Sequence, residues 1–260
     1  MIDLSFSFLD LEYFLLILVR VSCFVFIAPF FSMSNTPAQV RIAISFFTSI
    51  LLYASLTPSD AVVYDTVIEY AVIVGKEAIT GLLIGFSASI CTSIVNFAGS
   101  IVDMETGLSM VTLMDPTNRE QVSVSGVLYQ YVLMMMLIAS GMYRYLLGAL
   151  ADTFLILPIN GAIIKGENLA ATLILFMGDY ITIGFRICLP VFCVTLLLNV
   201  VLGVLSKVSP QLNMFAVGIQ FKIIVGLGVL FLTSGMLAGA SNFIFTEIKK
   251  VTVAFVEGMM

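Results

Sequence analysis

The chain has 260 residues, of which 60% are hydrophobic and 10% charged, and its mean hydropathy is +1.14, values that exclude a soluble domain with a watery surface. The formal net charge of -5 leaves no basic face to neutralise phosphates, so nucleic acid is excluded as a partner. Histidine is absent and the four cysteines, Cys23, Cys91, Cys188 and Cys193, lie inside apolar runs, so no metal centre and no cofactor is expected.

Apolar runs fall at about Leu11 to Phe31, Ala38 to Leu56, Val67 to Phe97, Val122 to Leu147, Leu169 to Leu205 and Leu212 to Phe245. They predict an all-α integral membrane protein with six long apolar helical segments arranged as hairpins. The first run has no basic leader and no small-residue cleavage pattern behind it, so it is expected to remain as a helix. A span needs roughly 20 residues for a core of about 30 Å. The third, fifth and sixth runs exceed that and are expected to be tilted, broken or projecting beyond lipid.

Proline marks several boundaries. Pro29 ends the first run, Pro37 opens the second as the first helical residue, and Pro58 closes it. Pro210 sits in the turn Ser209-Pro210-Gln211-Leu212-Asn213 between the last two runs, which form a hairpin, and Pro190 inside the fifth run should kink it.

Ala98 to Glu120 breaks the apolar pattern. It carries Asp103, Glu105, Asp115, Arg119 and Glu120, with Gly99, Gly107 and the turn pair Asp115-Pro116, and should not form one regular helix. It keeps apolar residues at Met104, Met110, Val111 and Met114. Irregular backbone at membrane depth persists only inside protein or along a water-filled cavity. The segment therefore reads as one that sits in, or blocks, a path, and thioether side chains suit a gasket that seals around changing shapes.

Arg20, Lys76, Glu77, Arg186 and Lys222 lie in apolar surroundings. Each would cost about 2.5–3.5 kcal/mol facing lipid at mid-depth, so they should face protein or water. Glu77, Gly81, Gly85, Ser89 and Ser93 recur every fourth residue, a narrow face of small side chains that another helix can approach closely, within the chain or from a second subunit. Glu77 also admits a proton-relay reading. Nothing resembles a nucleophile elbow, a phosphate-cradling glycine loop or a paired acidic motif, so no enzymatic activity is expected.

Three blocks carry a family resemblance: Lys76-Glu77-Ala78-Ile79-Thr80-Gly81-Leu82-Leu83-Ile84-Gly85-Phe86; Ala98 to Asp103 continuing through Gly107 to Asp115-Pro116; and Arg186-Ile187-Cys188-Leu189-Pro190-Val191 running on to Lys207, Pro210-Gln211-Leu212-Asn213 and Phe221-Lys222-Ile223. In this order, with Arg20, Pro29, Pro37 and Arg41 ahead of them, they resemble the FliR family of the flagellar protein export gate. Lys207 stands where that family often has arginine, and Gln220 where it often has proline.

The resemblance implies a subunit of a type III protein export channel that assembles with FliP-like and FliQ-like subunits and a FlhB-like subunit in the bacterial inner membrane, at the flagellar basal body, and passes unfolded export substrates. It implies a FliP-like part over residues 1–168, containing the plug segment 98–120, and a FliQ-like hairpin over 169–260, together one structural unit. The plug is expected in Gly107, Met110, Val111, Met114, Asp115 and Pro116. Assembly and helix packing are expected to involve Arg20, Glu77, Gly81, Gly85, Arg186, Pro190, Lys207, Pro210, Gln211, Asn213 and Lys222. A virulence-type export gate is the near alternative. A small-solute or ion transporter with Glu77, Arg186 and Lys222 at a midplane site is the competitor from another class.

Overall fold

The computed structural model describes residues 8–33, 36–56, 64–110, 113–114, 121–208 and 214–260. The expected all-α class holds: the regular structure is nine α-helices, two single-turn 3-10 segments and one two-residue β-ladder among the described residues. The six expected segments become nine because three long runs are interrupted.

Helix α1 (Phe8–Ile27) stops at Ala28-Pro29, followed by Phe30 in the left-handed region at φ 78°. Helix α2 (Ala38–Ser55) begins one residue later than the sequence suggests, with Pro37 at the N-cap and an extended ψ of 143°. The third run divides into α3 (Val67–Thr92) and α4 (Ile94–Thr106), with Ser93 as the N-cap of the second piece. The fourth run divides into α5 (Val124–Ala139) and α6 (Met142–Ile156). Gly141 sits in that break at φ 71°, a conformation glycine adopts without the Cβ clash of other residues.

Helix α7 (Gly166–Val208) runs 43 residues without interruption at Pro190. Proline deletes one backbone donor and disturbs the turn before it, but it does not end this helix. The sixth run divides into α8 (Met214–Thr233), a 3-10 turn at Ser234–Met236 and α9 (Leu237–Glu257). Gly235 therefore lies in a break between helices.

Three helical stretches, Ala38–Ser55, Val67–Thr106 and Gly166–Val208, are long and apolar enough to cross a membrane, and a fourth if α5 and α6 count as one bent span. At 1.5 Å per residue α7 is about 64 Å long, roughly twice the hydrocarbon core. The overlong runs are thus real continuous helices in one case and broken ones in the others.

The chain divides into two compact units. The first comprises Met1–Ile90, Gly141–Leu175 and Ile248–Met260, the second Cys91–Ser140 and Phe176–Glu247. The core of the first is built from Leu16, Ile17, Phe24, Ile84, Leu146, Leu150, Ile248 and Phe255; that of the second from Ile94, Ala98, Leu137, Cys188 and Ile244. This division by compactness is drawn differently from the one at residue 168 that the resemblance implies, which falls in the first turn of α7.

Candidate functional site

In the first unit, the small face of α3 lies on α1. A β-carbon at Gly81 would run into the carbonyl oxygen of Arg20, and one at Gly85 would stand 2.9 Å from the carbonyl oxygen of Phe24. This close approach brings the charged head of the stripe onto its partner: Arg20 Nε donates to Glu77 Oε2 at 2.6 Å, with both side chains fully buried. Arg20 Nη1 donates to the carbonyl of Leu157 at 3.0 Å and to that of Thr153 at 3.3 Å, at the end of α6, where Thr153 also accepts the N–H of Leu157. The Phe154 ring lies 4.2 Å from the guanidinium carbon, a cation–π contact.

The second oxygen of Glu77 is also taken. Its Oε1 accepts the backbone N–H of Asn160 at 3.0 Å, where φ is 66°, and Lys76 Nζ donates to Asn160 Oδ1 at 3.0 Å. Adjacent lysine and glutamate on one helix do not face each other; here they hold two atoms of the same turn residue. Both carboxylate oxygens of Glu77 are thus engaged within the chain. Further along the chain, Tyr64 donates its hydroxyl to Glu12 Oε1 at 2.6 Å, and that bond holds the phenol pKa above its ordinary value.

In the second unit lies the stem of the polar segment. Its first part is regular: α4 continues through Thr106, so Ala98 to Thr106 is helical, a correction to the expected irregularity from Ala98 onward. One buried acid can be carried in a helix when its oxygens meet backbone donors. Gly107 then ends α4 as a left-handed C-cap at φ 84°, the usual role of glycine there. A 3-10 turn follows at Leu108–Met110, and β1 (Leu113–Met114) pairs antiparallel with β2 (Gln121–Val122), Leu113 opposite Val122 and Met114 opposite Gln121. The segment leaves α4 and returns to α5 as a hairpin.

The two helices at its base are fastened together. Asp103, buried in α4, accepts the N–H of Ser125 through Oδ1 at 3.2 Å and Oδ2 at 3.3 Å. Ser123 caps α5 by accepting from Gly126 N at 2.7 Å, and Gly99 approaches the backbone of Gly126 so closely that a β-carbon there would overlap it. Of the expected plug residues, Gly107 caps α4 at the stem, Met110 and Met114 lie on the described backbone, and Val111, Asp115 and Pro116 lie outside the described residues.

The remaining expected assembly residues lie on α7 and α8, apart from Pro210, Gln211 and Asn213, which are outside the described residues. Arg186 is exposed, with its guanidinium 5.9 Å from the Phe243 ring. Pro190 and Lys222 are half-buried and Lys207 is exposed. The methionine triplet divides as its helical spacing requires, Met134 being buried and Met135 exposed.

The sequence profile of the bacterial export proteins, family 1, matches residues 11–248. The chain belongs to this family. Among its relatives, the flagellar biosynthetic protein FliR of Bacillus subtilis is 26% identical over 95% of this chain and 92% of its own length. FliR of Escherichia coli is 25% identical over 89% and 87%. The surface presentation of antigens protein SpaR of Shigella sonnei is 26% identical over 98% and 99%. The match covers both compact units of this family member, the ion-paired and the hairpin-bearing alike.

Sequence reasoning missed Asn160 as the second partner of Glu77 and Ser125 as the partner of Asp103. Asn160-Gly161 follows Pro158 closely, the composition of a turn. The pairing of Asn160 with a residue 83 positions earlier was not legible, because nothing local specifies it.

Proposed function

We propose that this bacterial export protein is a core subunit of the flagellar type III export gate in the inner membrane at the basal body. In this proposal it completes a FliP/FliQ/FliR channel with FliP-like, FliQ-like and FlhB-like subunits, and its Gly107–Glu120 segment closes the pore to ions and to unfolded export substrates at rest. It performs no chemistry.

The observation that carries the plug assignment is the hairpin on a clamped base. A segment that leaves a left-handed glycine, pairs with itself at β1 and β2 and returns onto a helix held by Asp103 has a root fixed on both sides, as a plug needs if it is to stay seated in a pore. A surface turn linking α4 to α5 would not need the seventeen residues from 107 to 123. The test is electrical: the co-expressed gate, reconstituted with residues 107–118 deleted, should conduct ions at rest. Resting conductance equal to that of the intact gate counts against the plug.

The virulence-type reading keeps one specific support, the coverage and identity of the match to SpaR. Complementation decides it: restoring flagellar export to a strain lacking its own FliR favours the flagellar system, and restoring effector secretion alone favours the other. In the transporter reading Glu77 would have to serve a solute while bonded to Arg20 and Asn160.

A further inference from the structure

Thr106 is the last residue of α4, and Gly107 is the cap from which the hairpin departs. Thr106 is fully buried, and its methyl group faces the backbone of α8 at Gly226, which is buried as well. A β-carbon added at Gly226 would overlap Thr106 Cγ2 and stand 3.1 Å from Thr106 Cβ. Nearby, Ile219 Cγ2 lies 3.8 Å from where a β-carbon on Gly107 would be. Ile219 and Gly226 are seven residues apart, two turns along one face of α8. The final turn of α4 and its cap are therefore seated on α8, besides being tied to α5 through Asp103 and Ser125.

This seat is stiff on both sides. Thr106 Oγ1 donates to the carbonyl of Val102 at 2.8 Å, and that bond fixes the χ1 angle of a β-branched side chain. Turning the methyl away from Gly226 would break the bond and leave a buried hydroxyl without its partner, which is costly. The opposing surface is backbone, which cannot turn aside. A second glycine of the same unit, Gly184 in α7, receives the Phe97 ring near the start of α4. Each of the two long helices α7 and α8 thus takes one side chain of α4 into a glycine gap, and the gap on α8 lies next to the hairpin.

The structure assigns α8 a positioning role: the Thr106–Gly226 socket, with Ile219 against Gly107, sets the seat of the hairpin root, so that a displacement of α8 relative to α4 passes directly to the plug. Glycine at 226 is then kept for that contact and not for α8 itself, whose helix propensity alone would favour alanine. This inference rests on the plug reading of the Gly107–Glu120 segment and adds to it the element that holds the plug in register.

The test is the resting conductance of the co-expressed gate, read per assembled complex, with the 107–118 deletion as the open reference. Gly226→Ala should raise resting conductance by roughly tenfold, because the overpacking strains only the seated root. Gly228→Ala, whose β-carbon meets nothing within 4 Å, should leave conductance unchanged. Thr106→Ser removes the clashing methyl and keeps the hydroxyl, so the Gly226→Ala/Thr106→Ser double variant should return to within about twofold of the unsubstituted gate. Ile219→Ala thins the half-buried contact on Gly107 without a clash and should raise conductance by roughly threefold. That variant decides if Gly226→Ala yields no complex. With a conducting deletion, a silent Gly226→Ala, a leak that Thr106→Ser fails to suppress, or a silent Ile219→Ala overturns the socket and leaves the plug reading standing. A deletion that does not conduct sinks the plug reading itself, and the positioning role with it.

Discussion

Asp103 in α4 accepts the backbone N–H of Ser125 in α5 through both carboxylate oxygens, at 3.2 and 3.3 Å, and so joins the helices on either side of the hairpin. The donor belongs to the first turn of α5, where N–H groups lack partners within the helix and negative charge is favoured. Asp103→Ala should remove this clamp at a cost of about 1–3 kcal/mol. Asp103→Asn keeps an acceptor without the charge and should lose roughly half of that. Thermal unfolding of the purified complex gives the stability order, and resting conductance should rise in the same order as the base loosens. An alanine variant with both values unchanged would show that the hairpin is rooted elsewhere.

The Arg20–Glu77 pair gives a second prediction, a non-additive cost for single and paired substitutions. Glu77→Met leaves a buried guanidinium without its carboxylate, and Arg20→Met leaves a buried carboxylate with only the Asn160 N–H. Each should destabilise by roughly 3–5 kcal/mol. Replacing both residues with methionine removes both desolvation costs, so the double variant should be less damaging than the two single changes added together. A melting study of the four complexes measures this coupling. Strict additivity would mean that the pair contributes nothing as a pair.

How much of this was legible in the sequence depends on the range of the interaction. The Glu77, Gly81, Gly85 face was visible because small residues recurring every fourth position mark a helix side on any helix. The partner, Arg20, was visible only as a charge that could not face lipid. Helix interruptions were less legible: Ser93 and Ser234–Met236 lie within continuous apolar runs, and hydropathy has no term for a change of direction. The polar segment shows the reverse. Asp103 and Glu105 read as helix-breaking company for Gly107, yet α4 persists to Thr106 because Asp103 is satisfied by a donor from outside its own helix. Composition records that a group is polar, whereas tertiary contacts decide whether that polarity ends a helix.

Glycine at position 81 is required by contact, and glycine at position 75 of the same helix is not. A β-carbon at Gly81 would overlap the Arg20 carbonyl oxygen, whereas one at Gly75 meets nothing within 4 Å. Backbone cannot move aside as a flexible side chain can, so Gly81→Ala must push α1 away from α3 and stretch the Arg20–Glu77 bond, at an overpacking cost of about 1–3 kcal/mol. Gly75→Ala adds no clash and removes the conformational freedom that glycine loses on helix formation, a gain of roughly 0.5–1 kcal/mol. The two alanine variants, made in the same co-expressed complex and compared by thermal unfolding and by yield, should therefore move in opposite directions. Equal melting temperatures would show that α1 yields at that crossing without cost, and the small-residue stripe would then lose its role in holding the two helices together.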